Sequence, residues 1–418
     1  DTARTVGLHD RGVLVPGYRA DMNVIDFDRL RVHQPELAYD LPAGGRRLLQ
    51  RADGYRHTLV AGIETYSDGD ATGALPGRLV RGAQSEPLER HAEWTAATVT
   101  DSDEWSHRLS DSEIAELEEA LAQARSHTDD LLDVDKSRFS LPDFGDRLAQ
   151  MAEELVNGRG FQRITGLPVD RLGAEDASWI YWGIGSHLGM PWPQNARGHL
   201  LGDVKDEGRT MSEGNSRGYQ MAGPLPFHSD GSDLVGLLCL SAGMSGGESL
   251  IVNALLCHNL LVKSAPDLAA VLYEGLPYDY RGEEADGRRP YYTIPLFTRH
   301  GERLFIRYVP PFIKSSQRHE GAPRLTEQQL AGMAAYDELI ADPDHQVEMV
   351  FETGDMQFIN NYHVLHGRRT FQDDQDAGQV RWLKRLWLAT EILAPEDRPE
   401  RFQASRAFSH WNAKRTRA

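Results

Sequence analysis

Two stretches of the chain show apolar residues at helical spacing directly after a capping-box sequence. The first box, "SDSE", occupies residues 110–113, and the second, "TEQQ", occupies residues 326–329. In each, a Ser or Thr side chain can accept the backbone N–H three residues later, while the Glu or Gln there reaches back. Apolar residues then recur every three or four positions. The pattern predicts two amphipathic helices that begin near residues 110 and 326.

Short apolar runs between Gly and Pro breaks dominate the last two thirds of the chain. They have the length of strands and do not alternate regularly with helical segments, so a parallel sheet is not indicated. The pattern predicts a mostly β fold with flanking helices, arranged as an antiparallel barrel or jelly roll with the helices packed outside. The predicted strands are "VGLLCLSA" (235–242), "RLFIRYV" (303–309), "EMVFETG" (348–354) and "MQFIN" (356–360).

Residues 1–84 differ from the rest in pattern and composition. Two strand-like runs, "MNVIDF" (22–27) and "HTLVAGIETY" (57–66), stand between Pro-Gly, Gly-Gly and Asp-Gly breaks, which predicts a small β-rich part. This part holds 11 Arg, no Lys and 11 acidic residues, so the whole formal net charge of −18 lies beyond it. The stretch 73–90 has Gly, Pro and Ser punctuation without apolar periodicity, which is typical of a linker. We therefore divide the chain into residues 1–84 and 85–418.

The net charge opposes binding to nucleic acid or to an anionic membrane surface. No apolar run approaches the roughly 18 residues that a membrane-spanning helix needs. The two cysteines, Cys239 and Cys257, have neither the number nor the spacing of a disulfide framework or a zinc cluster. We expect a soluble cytoplasmic protein that acts on a small molecule, and the sequence leaves its oligomeric state open.

The pentapeptide "FHSDG" (227–231) carries two candidate metal ligands, His228 and Asp230. On an extended backbone their side chains point the same way, so both can bind one ion. Imidazole with carboxylate suits Fe(II), Mn or Zn, and a second histidine would complete a two-His-one-carboxylate triad with open coordination positions. Because His-x-Asp is common by chance, the hypothesis depends on a third ligand.

Two histidines in "INNYHVLHGRRTF" (359–371) are candidates for that third ligand. His363 and His366 are three residues apart, so a strand would turn them to opposite faces and normally only one could bind. Their residue type does not choose between them.

The stretch "RWLKRLWLATE" (381–391) is typical of a strand with Arg381 and Arg385 on one face among large apolar residues. Two buried arginines without partners are costly, so an anionic partner is expected. That partner is either a protein carboxylate or a ligand carboxylate held by the guanidinium fork.

Taken together, "FHSDG", "NNYHVLHGR" and "RWLKRLWL" resemble the taurine dioxygenase (TauD/TfdA-like) family of the clavaminate synthase-like superfamily. "GFQRITGLP" (160–168) and "GGESLIV" (246–252) support the resemblance, which extends over roughly residues 90–392. It implies a double-stranded β-helix (jelly-roll) core and an Fe(II)- and 2-oxoglutarate-dependent dioxygenase. Such an enzyme uses O2 to oxidise an unactivated C–H bond of a small molecule while 2-oxoglutarate is decarboxylated to succinate and CO2.

The resemblance also implies the iron ligands. His228 and Asp230 fall at the proximal ligands of the family, and His366, within Leu-His-Gly-Arg, falls at the distal histidine. His366 stands 15 residues before Arg381, close to the spacing in the family. His363 would then be structural, hydrogen-bonded to backbone or water.

Three further roles are implied in the same way. Arg381 falls where the arginine of the family binds the distal carboxylate of 2-oxoglutarate. Arg385 falls where some members hold an anionic substrate. Ser249, after Gly-Gly-Glu, replaces a Thr that often contacts the cosubstrate, and it keeps the hydroxyl group.

Residues 1–84 carry a separate resemblance. "GLHDRGVLVPGYRADMNVID", "DLPAGGRRLLQRADGY" and "TGALPGRLVRG" are similar to the C-terminal end of N-acyl-D-amino-acid deacylases of the amidohydrolase superfamily. In that family this end completes a small β-sandwich beside a metal-binding barrel with His-x-His ligands. No His-x-His occurs in this sequence. The resemblance therefore implies a β-rich remnant without catalytic residues.

Two other classes of function remain as alternatives. The first is a hydrolase, either a metal-dependent deacylase built around residues 1–84 or a serine hydrolase acting through Ser216. Ser216 lies in a Gly-x-Ser-x-Gly sequence (214–218) that lacks the preceding strand and following helix of a nucleophile elbow. The second is a non-catalytic jelly-roll binding module. Succinate formation that requires Fe(II) and 2-oxoglutarate would separate the oxygenase from both.

Overall fold

The chain folds as two compact units, Asp1–Glu86 and Pro87–Ala418, and most contacts between residues lie within one unit or the other. The structure, a computed structural model, describes residues 3, 11–14, 19–41, 44–77, 93–100, 104–195, 197–206, 208, 221–284, 287–301, 303–394 and 397–399. The Gly-x-Ser-x-Gly sequence with Ser216 lies outside these residues, as does most of the linker.

The described residues of the first unit form short antiparallel strands. The strands are β1 (Met22–Ile25), β2 (Arg31–Val32), β3 (Glu36–Leu41), β4 (Gly45–Leu49), β5 (Ala52–Asp53), β6 (Tyr55–Val60), β7 (Ile63–Ser67) and β8 (Asp70–Ala71). One sheet has the order β1-β6-β7-β8, and the pairs β2–β5 and β3–β4 form two-stranded ribbons. The β-rich character predicted for this part is therefore observed.

The run 57–66, predicted as one strand-like segment, is a hairpin. β6 ends at Val60 and β7 begins at Ile63, while Ala61 and Gly62 between them have φ angles of 53° and 78°. Positive φ at both central residues is typical of the turns that suit the twist of antiparallel strands. Apolar residues flank the turn closely, so the sequence pattern does not reveal it. The other run is also shorter than predicted, because Phe27 lies in a 3-10 helix.

The described residues of the second unit contain eight α-helices. They are α1 (Ala96–Thr100), α2 (Asp111–His127), α3 (Phe144–Asn157), α4 (Val169–Leu188), α5 (Ala254–Ser264), α6 (Pro266–Val271), α7 (Pro310–Ser316) and α8 (Glu327–Ala341). Both predicted amphipathic helices are confirmed, since α2 begins after Ser110 and α8 after Thr326. Each has the reciprocal capping box, with Glu113 and Gln329 as the partners.

Strands form the centre of this unit. They are β9 (Ser106–Arg108), β10 (Phe161–Thr165), β11 (Met190–Trp192), β12 (Leu201–Val204), β13 (Leu225–His228), β14 (Leu234–Ala242), β15 (Ser245–Gly246), β16 (Ser249–Asn253), β17 (Gly275–Asp279), β18 (Tyr291–Pro295), β19 (Phe297–His300), β20 (Arg303–Ile306), β21 (Gln346–Met349), β22 (Met356–Asn360), β23 (Val364–Arg368), β24 (Phe371–Gln372) and β25 (Arg381–Ala389).

Two sheets carry most of the pairing. The larger has the order β11-β25-β14-β22-β10-β9, with β12 also paired to β25, and the smaller has the order β13-β23-β16-β21. All these pairs are antiparallel except β9 with β10. The buried apolar residues of β14, β22 and β25 pack with those of α3 and α4. A mostly β unit with helices packed on it is therefore observed.

Two predicted strands end earlier than expected. β20 stops at Ile306, and β21 stops at Met349, whose partner is Ser249. The chain then turns through Gly354, which has a φ of 92° and where a Cβ would lie 2.0 Å from the carbonyl oxygen of Leu167. Phe351 is buried in this connection. The predicted strand 348–354 is too long because Phe351 is apolar and buried, although it does not pair with any described strand.

Candidate active site

Strand pairing brings His228 and His366 together. β13 and β23 are antiparallel neighbours, and His228 is the register partner of His366. One extra residue on β13 between Leu225 and His228 makes a β-bulge, a feature that re-aims side chains beside functional sites. The ring centroids of the two histidines lie 4.3 Å apart.

Asp230 completes a cluster with these two histidines. Its Oδ1 lies 3.8 Å from His228 Nε2, and its Oδ2 lies 3.7 Å from His366 Nε2. One donor atom of each residue lies within 4.8 Å of the others, which makes the three a potential metal site. His363 is not part of this cluster. It lies in the turn before β23, where its Nδ1 is 3.5 Å from Asn360 Nδ2.

Burial and local charge set the protonation of the cluster. Burial lowers the pKa of His228, and it lowers the pKa of His366 to about 3 with a further contribution from His228. Burial alone would raise the pKa of Asp230, but the positive charge of Arg385 and the hydrogen bond from Trp387 hold it below its usual value. Two neutral imidazoles and an ionised carboxylate are the protonation states that a metal requires.

Hydrogen bonds hold the ligand side chains of His228 and Asp230 in place. His228 Nδ1 donates to the carbonyl oxygen of Pro226 at 2.9 Å, so its Nε2 lone pair faces Asp230. Asp230 Oδ2 accepts the indole N–H of Trp387 at 2.9 Å, and the Asp230 backbone N–H donates to Asn361 Oδ1 at 3.0 Å. The donor set of two imidazoles and one carboxylate fits Fe(II) with coordination positions left open.

Arg385 is held against the same carboxylate. Its Nη1 lies 3.4 Å from Asp230 Oδ2, and its Nε donates to Gln194 Oε1 at 2.8 Å. Its guanidinium carbon lies 5.2 Å from the ring centroid of Trp387. A protein carboxylate is therefore one partner of Arg385, and the guanidinium also lines the cavity beside the cluster.

Arg381 is buried at the start of β25. Its Nη2 donates to the carbonyl oxygen of Gly247 at 3.1 Å, while Nη1 has no hydrogen-bond partner in the part of the chain that the structure describes. Burial lowers the pKa of this guanidinium. Ser249 is also buried, and its hydroxyl donates to Gln357 Oε1 at 3.0 Å.

A cavity of about 1260 Å³ opens beside His228 and Asp230. Its walls include the apolar side chains of Phe227, Val309 and Phe312. Pockets of this kind, apolar with a few convergent polar groups, are typical of small-molecule sites.

A family model, "Taurine catabolism dioxygenase TauD, TfdA family", matches residues 103–387, which is more than half of the chain. This chain belongs to the TauD/TfdA family. A second family model, that of the amidohydrolase family, matches residues 1–66. The resemblance to the TauD/TfdA family is therefore confirmed, and the match over residues 1–66 agrees with a resemblance of the first part to the amidohydrolase superfamily.

Curated relatives of this TauD/TfdA-family chain come from a bacterium and a fungus. It is 31% identical over 310 residues to FR-33289 synthase of Streptomyces rubellomurinus, covering 73% of this chain and 91% of that protein. It is 26% identical over 315 residues to the taurine hydroxylase-like protein SAT17 of Stachybotrys chartarum, covering 72% and 79% respectively.

Solved structures share the fold. An asparagine oxygenase in complex with Fe(II), 2S,3S-3-hydroxyasparagine and succinate aligns with a TM-score of 0.55 at 17% identity, covering 70% of this chain and 98% of that one. The non-heme iron oxygenase OrfP with Fe and alpha-ketoglutaric acid aligns with a TM-score of 0.52 at 20% identity, covering 69% and 95%. The TauD/TfdA-family chain is an Fe(II)- and 2-oxoglutarate-dependent dioxygenase, an oxidoreductase.

Sequence reasoning missed several residues of this TauD/TfdA-family site. Trp387 and Asn361 contact Asp230 directly, and Arg307 Nη1 donates to the carbonyl oxygens of Ser229 and Asp230 at 2.9 and 2.6 Å. Each is distant from Asp230 in sequence, so no local pattern marks it.

None of the helices that the structure describes combines the length and apolar character needed to cross a bilayer.

Proposed function

We propose that this TauD/TfdA-family enzyme holds Fe(II) through His228, Asp230 and His366 and oxidises an unactivated C–H bond of a small molecule. The observation that carries the proposal is the convergence of two neutral imidazole nitrogens and one carboxylate beside a large cavity. Iron and 2-oxoglutarate, when bound, supply an O2-dependent oxidation that releases succinate and CO2.

The residues of the chain bind and orient the reactants. Arg381 binds the distal carboxylate of 2-oxoglutarate, and the Ser249 hydroxyl on β16 contacts the cosubstrate. Arg385 faces the cavity and holds an anionic group of the substrate, while its contact with Asp230 and that of Trp387 orient the carboxylate ligand. The side chains of Arg385 and Asp230 are themselves largely buried, which strengthens their charge-assisted contacts.

The substrate proposed is a small molecule, and the names of relatives support this choice. The structures that share the fold contain 3-hydroxyasparagine or hydroxy-arginine. A cavity of about 1260 Å³ has room for a molecule larger than an amino acid.

We infer that the core is a double-stranded β-helix. Support comes from the two mainly antiparallel sheets, the smaller carrying His228 and His366 and the larger carrying Arg381 and Arg385. Iron ligands and cosubstrate anchor would then lie on opposite walls of the jelly roll.

We propose that residues 85–418 are the dioxygenase domain and that residues 1–84 are an amidohydrolase-type β remnant without catalytic residues. The division of contacts at Glu86 and the amidohydrolase match over residues 1–66 support this assignment. The described histidines of the first unit, His33 and His57, pair with Asp53 and Glu64 on exposed surface.

A cytoplasmic location is proposed as well, supported by two free buried thiols, Cys239 and Cys257.

The test is succinate formation from 2-oxoglutarate in air, with a screen of amino acids, sulfonates and aryloxy acids as substrates. We expect turnover that requires Fe(II) and that a substrate accelerates. Asp230→Ala serves as the matched control, because it removes the carboxylate ligand. Turnover that persists in that variant, or labelling of Ser216 by a serine-directed phosphonate with hydrolysis of an ester, would contradict the proposal.

A further inference from the structure

A buried ion pair joins Asp233 to Arg398 in the dioxygenase unit. The two residues are only 2% and 4% exposed, and Arg398 Nη2 bonds to Asp233 Oδ2. Among the residues that the structure describes, no other ion pair has both side chains so completely buried. Removing two charges from water is costly, so such a pair is a poor source of stability. What the pair holds in place is therefore more informative than its strength.

Three separate segments of the chain meet at the Asp233 carboxylate. Oδ1 accepts the Tyr362 hydroxyl at 2.7 Å, and Oδ2 accepts the Thr390 backbone N–H at 3.0 Å. Arg398 approaches from beyond β25, and its Nη2 also donates to the Thr390 carbonyl oxygen at 2.9 Å. Its Nη1 donates to the carbonyl oxygen of Leu393. The guanidinium thus ties Asp233 to the chain that follows β25.

Asp233 belongs to the same loop as the candidate iron ligand Asp230. This ligand loop, residues 229–233, connects β13 to β14. Asn361 spans it, because its backbone N–H donates to the Asp233 carbonyl oxygen at 3.0 Å while its Oδ1 accepts the Asp230 N–H at 3.0 Å. On the side of β25, Trp387 donates to Asp230 Oδ2 at 2.9 Å. The residues that hold Asp233 therefore adjoin those that hold Asp230.

We propose that Arg398 is a positioning residue for the metal site. By balancing the charge of Asp233, it holds the ligand loop in the conformation that turns the Asp230 carboxylate toward the two histidines. The inference rests on the proposed function, because it takes the cluster to be the iron site. Arg398 lies beyond residues 103–387, which the family model matches. The chain after β25 is then part of what the metal site requires.

A purely structural ion pair would behave differently from one that positions the ligand loop. Its loss would lower the free energy of unfolding and leave the metal affinity of the folded protein unchanged. Loss of a positioning pair lowers metal affinity as well, because the cost of ordering the loop is then subtracted from the binding free energy. Two quantities are therefore measured for each full-length variant: the free energy of unfolding of the apoprotein in urea, and the Fe(II) affinity of the folded protein.

Iron affinity is measured by anaerobic Fe(II) titration with saturating 2-oxoglutarate, following the metal-to-ligand charge-transfer band, at a temperature where every variant is folded. We expect Arg398→Gln to weaken Fe(II) binding by roughly 10- to 100-fold, as is usual when a group that supports a metal ligand is lost. Arg398→Lys keeps the charge beside Asp233 without the guanidinium fork, so about three- to tenfold weakening should remain. The Lys variant carries the test if the Gln protein does not fold.

Arg163→Gln is the matched control. It removes the same charge from another largely buried ion pair, in which Arg163 Nη2 lies 2.5 Å from Asp355 Oδ2. Arg163 lies on β10, and Asp355 directly precedes β22, at the end of that strand remote from Asn361. The control should lose stability in urea and bind Fe(II) as the wild type does.

Unchanged Fe(II) affinity in Arg398→Gln, with reduced stability, would overturn the inference, and so would an equal loss of affinity in Arg163→Gln. Wild-type affinity in Arg398→Lys, where the Gln variant cannot be measured, would overturn it as well. A wild type that gives no charge-transfer band would instead contradict the proposed function, and the inference with it.

Discussion

Burial removes the proton that would compete with a metal at His366. A histidine with a pKa of about 3 is neutral throughout the physiological range, and the neighbouring carboxylate is ionised there. The cluster therefore needs no deprotonation before a metal binds. The same burial lowers the stability of the folded protein at low pH, because the unfolded chain can protonate His366 and the folded chain cannot.

We predict that His366→Ala abolishes tight Fe(II) binding while His363→Ala lowers it by about 10- to 100-fold at most. His366 lies in the cluster, whereas His363 lies in the preceding turn beside Asn360. The measurement is the charge-transfer band in anaerobic Fe(II) titrations with 2-oxoglutarate. Loss of the band in His363→Ala with retention in His366→Ala would reverse the assignment, and retention in both would contradict the triad.

We predict different consequences for the two arginines of β25. Arg381→Ala should raise the 2-oxoglutarate requirement by the equivalent of about 2–3 kcal/mol, because a charge-assisted contact is lost. Arg385→Ala should mainly raise the substrate requirement. Iron affinity is measured in parallel, since Arg385 also contacts Asp230. Equal effects of both substitutions on 2-oxoglutarate affinity would contradict this division.

The residues that sequence analysis placed in the site could be found from their order and spacing along the chain. The contacts of the missed residues could not be found in this way. His228 and Asp230 are neighbours in sequence, and His366 and Arg381 stand at a spacing typical of a family. Trp387 reaches Asp230 only because β25 runs past the loop after β13. Contacts of that kind are made by tertiary packing and leave no periodic signal.

Local signals also decided which helices and strands were predicted well. The capping boxes of α2 and α8 depend on residues three apart, so the sequence states them directly. The end of β21 depends instead on how far β16 extends beside it. The hairpin between β6 and β7 depends on two positive φ angles. Neither condition is visible in the order of apolar and polar residues.

Helix α5 carries a buried histidine away from the metal cluster, and we predict that it makes stability depend on pH. His258 bonds to Asn259 and to the Tyr273 hydroxyl, and burial lowers its pKa to about 4. Between about pH 6.5 and 4 the unfolded chain binds a proton there and the folded chain does not, so stability falls as pH falls. The contribution lost between pH 7.5 and 5 is about 2 kcal/mol.

The check is urea unfolding of the wild type and of His258→Gln at pH 7.5 and pH 5. The variant keeps hydrogen-bonding groups at the position but cannot titrate. The stability advantage of the wild type should shrink by about 2 kcal/mol at the lower pH. A constant difference between the two proteins would show that His258 does not titrate as described.

For the chain as a whole, we predict that residues 85–418 fold and bind Fe(II) without residues 1–84. The contacts separate at Glu86, and all three cluster residues belong to the second unit. The truncated protein should match the full chain in the charge-transfer titration and in succinate formation. A folded, soluble truncation that no longer binds iron would contradict the prediction and show that the first unit supports the site.

The iron ligands lie in two regions that are far apart in the chain, β13 with the loop after it and β23. Their separation determines the point in translation at which all three ligands are first available. His228 and Asp230 leave the ribosome early, but His366 is 136 residues further along the chain than Asp230. At roughly 5–20 residues per second, that is about 7 to 27 seconds of translation. Until then the nascent chain offers one histidine and one carboxylate, which hold a divalent ion weakly. The complete set of three ligands therefore exists only after most of the second unit has been synthesised.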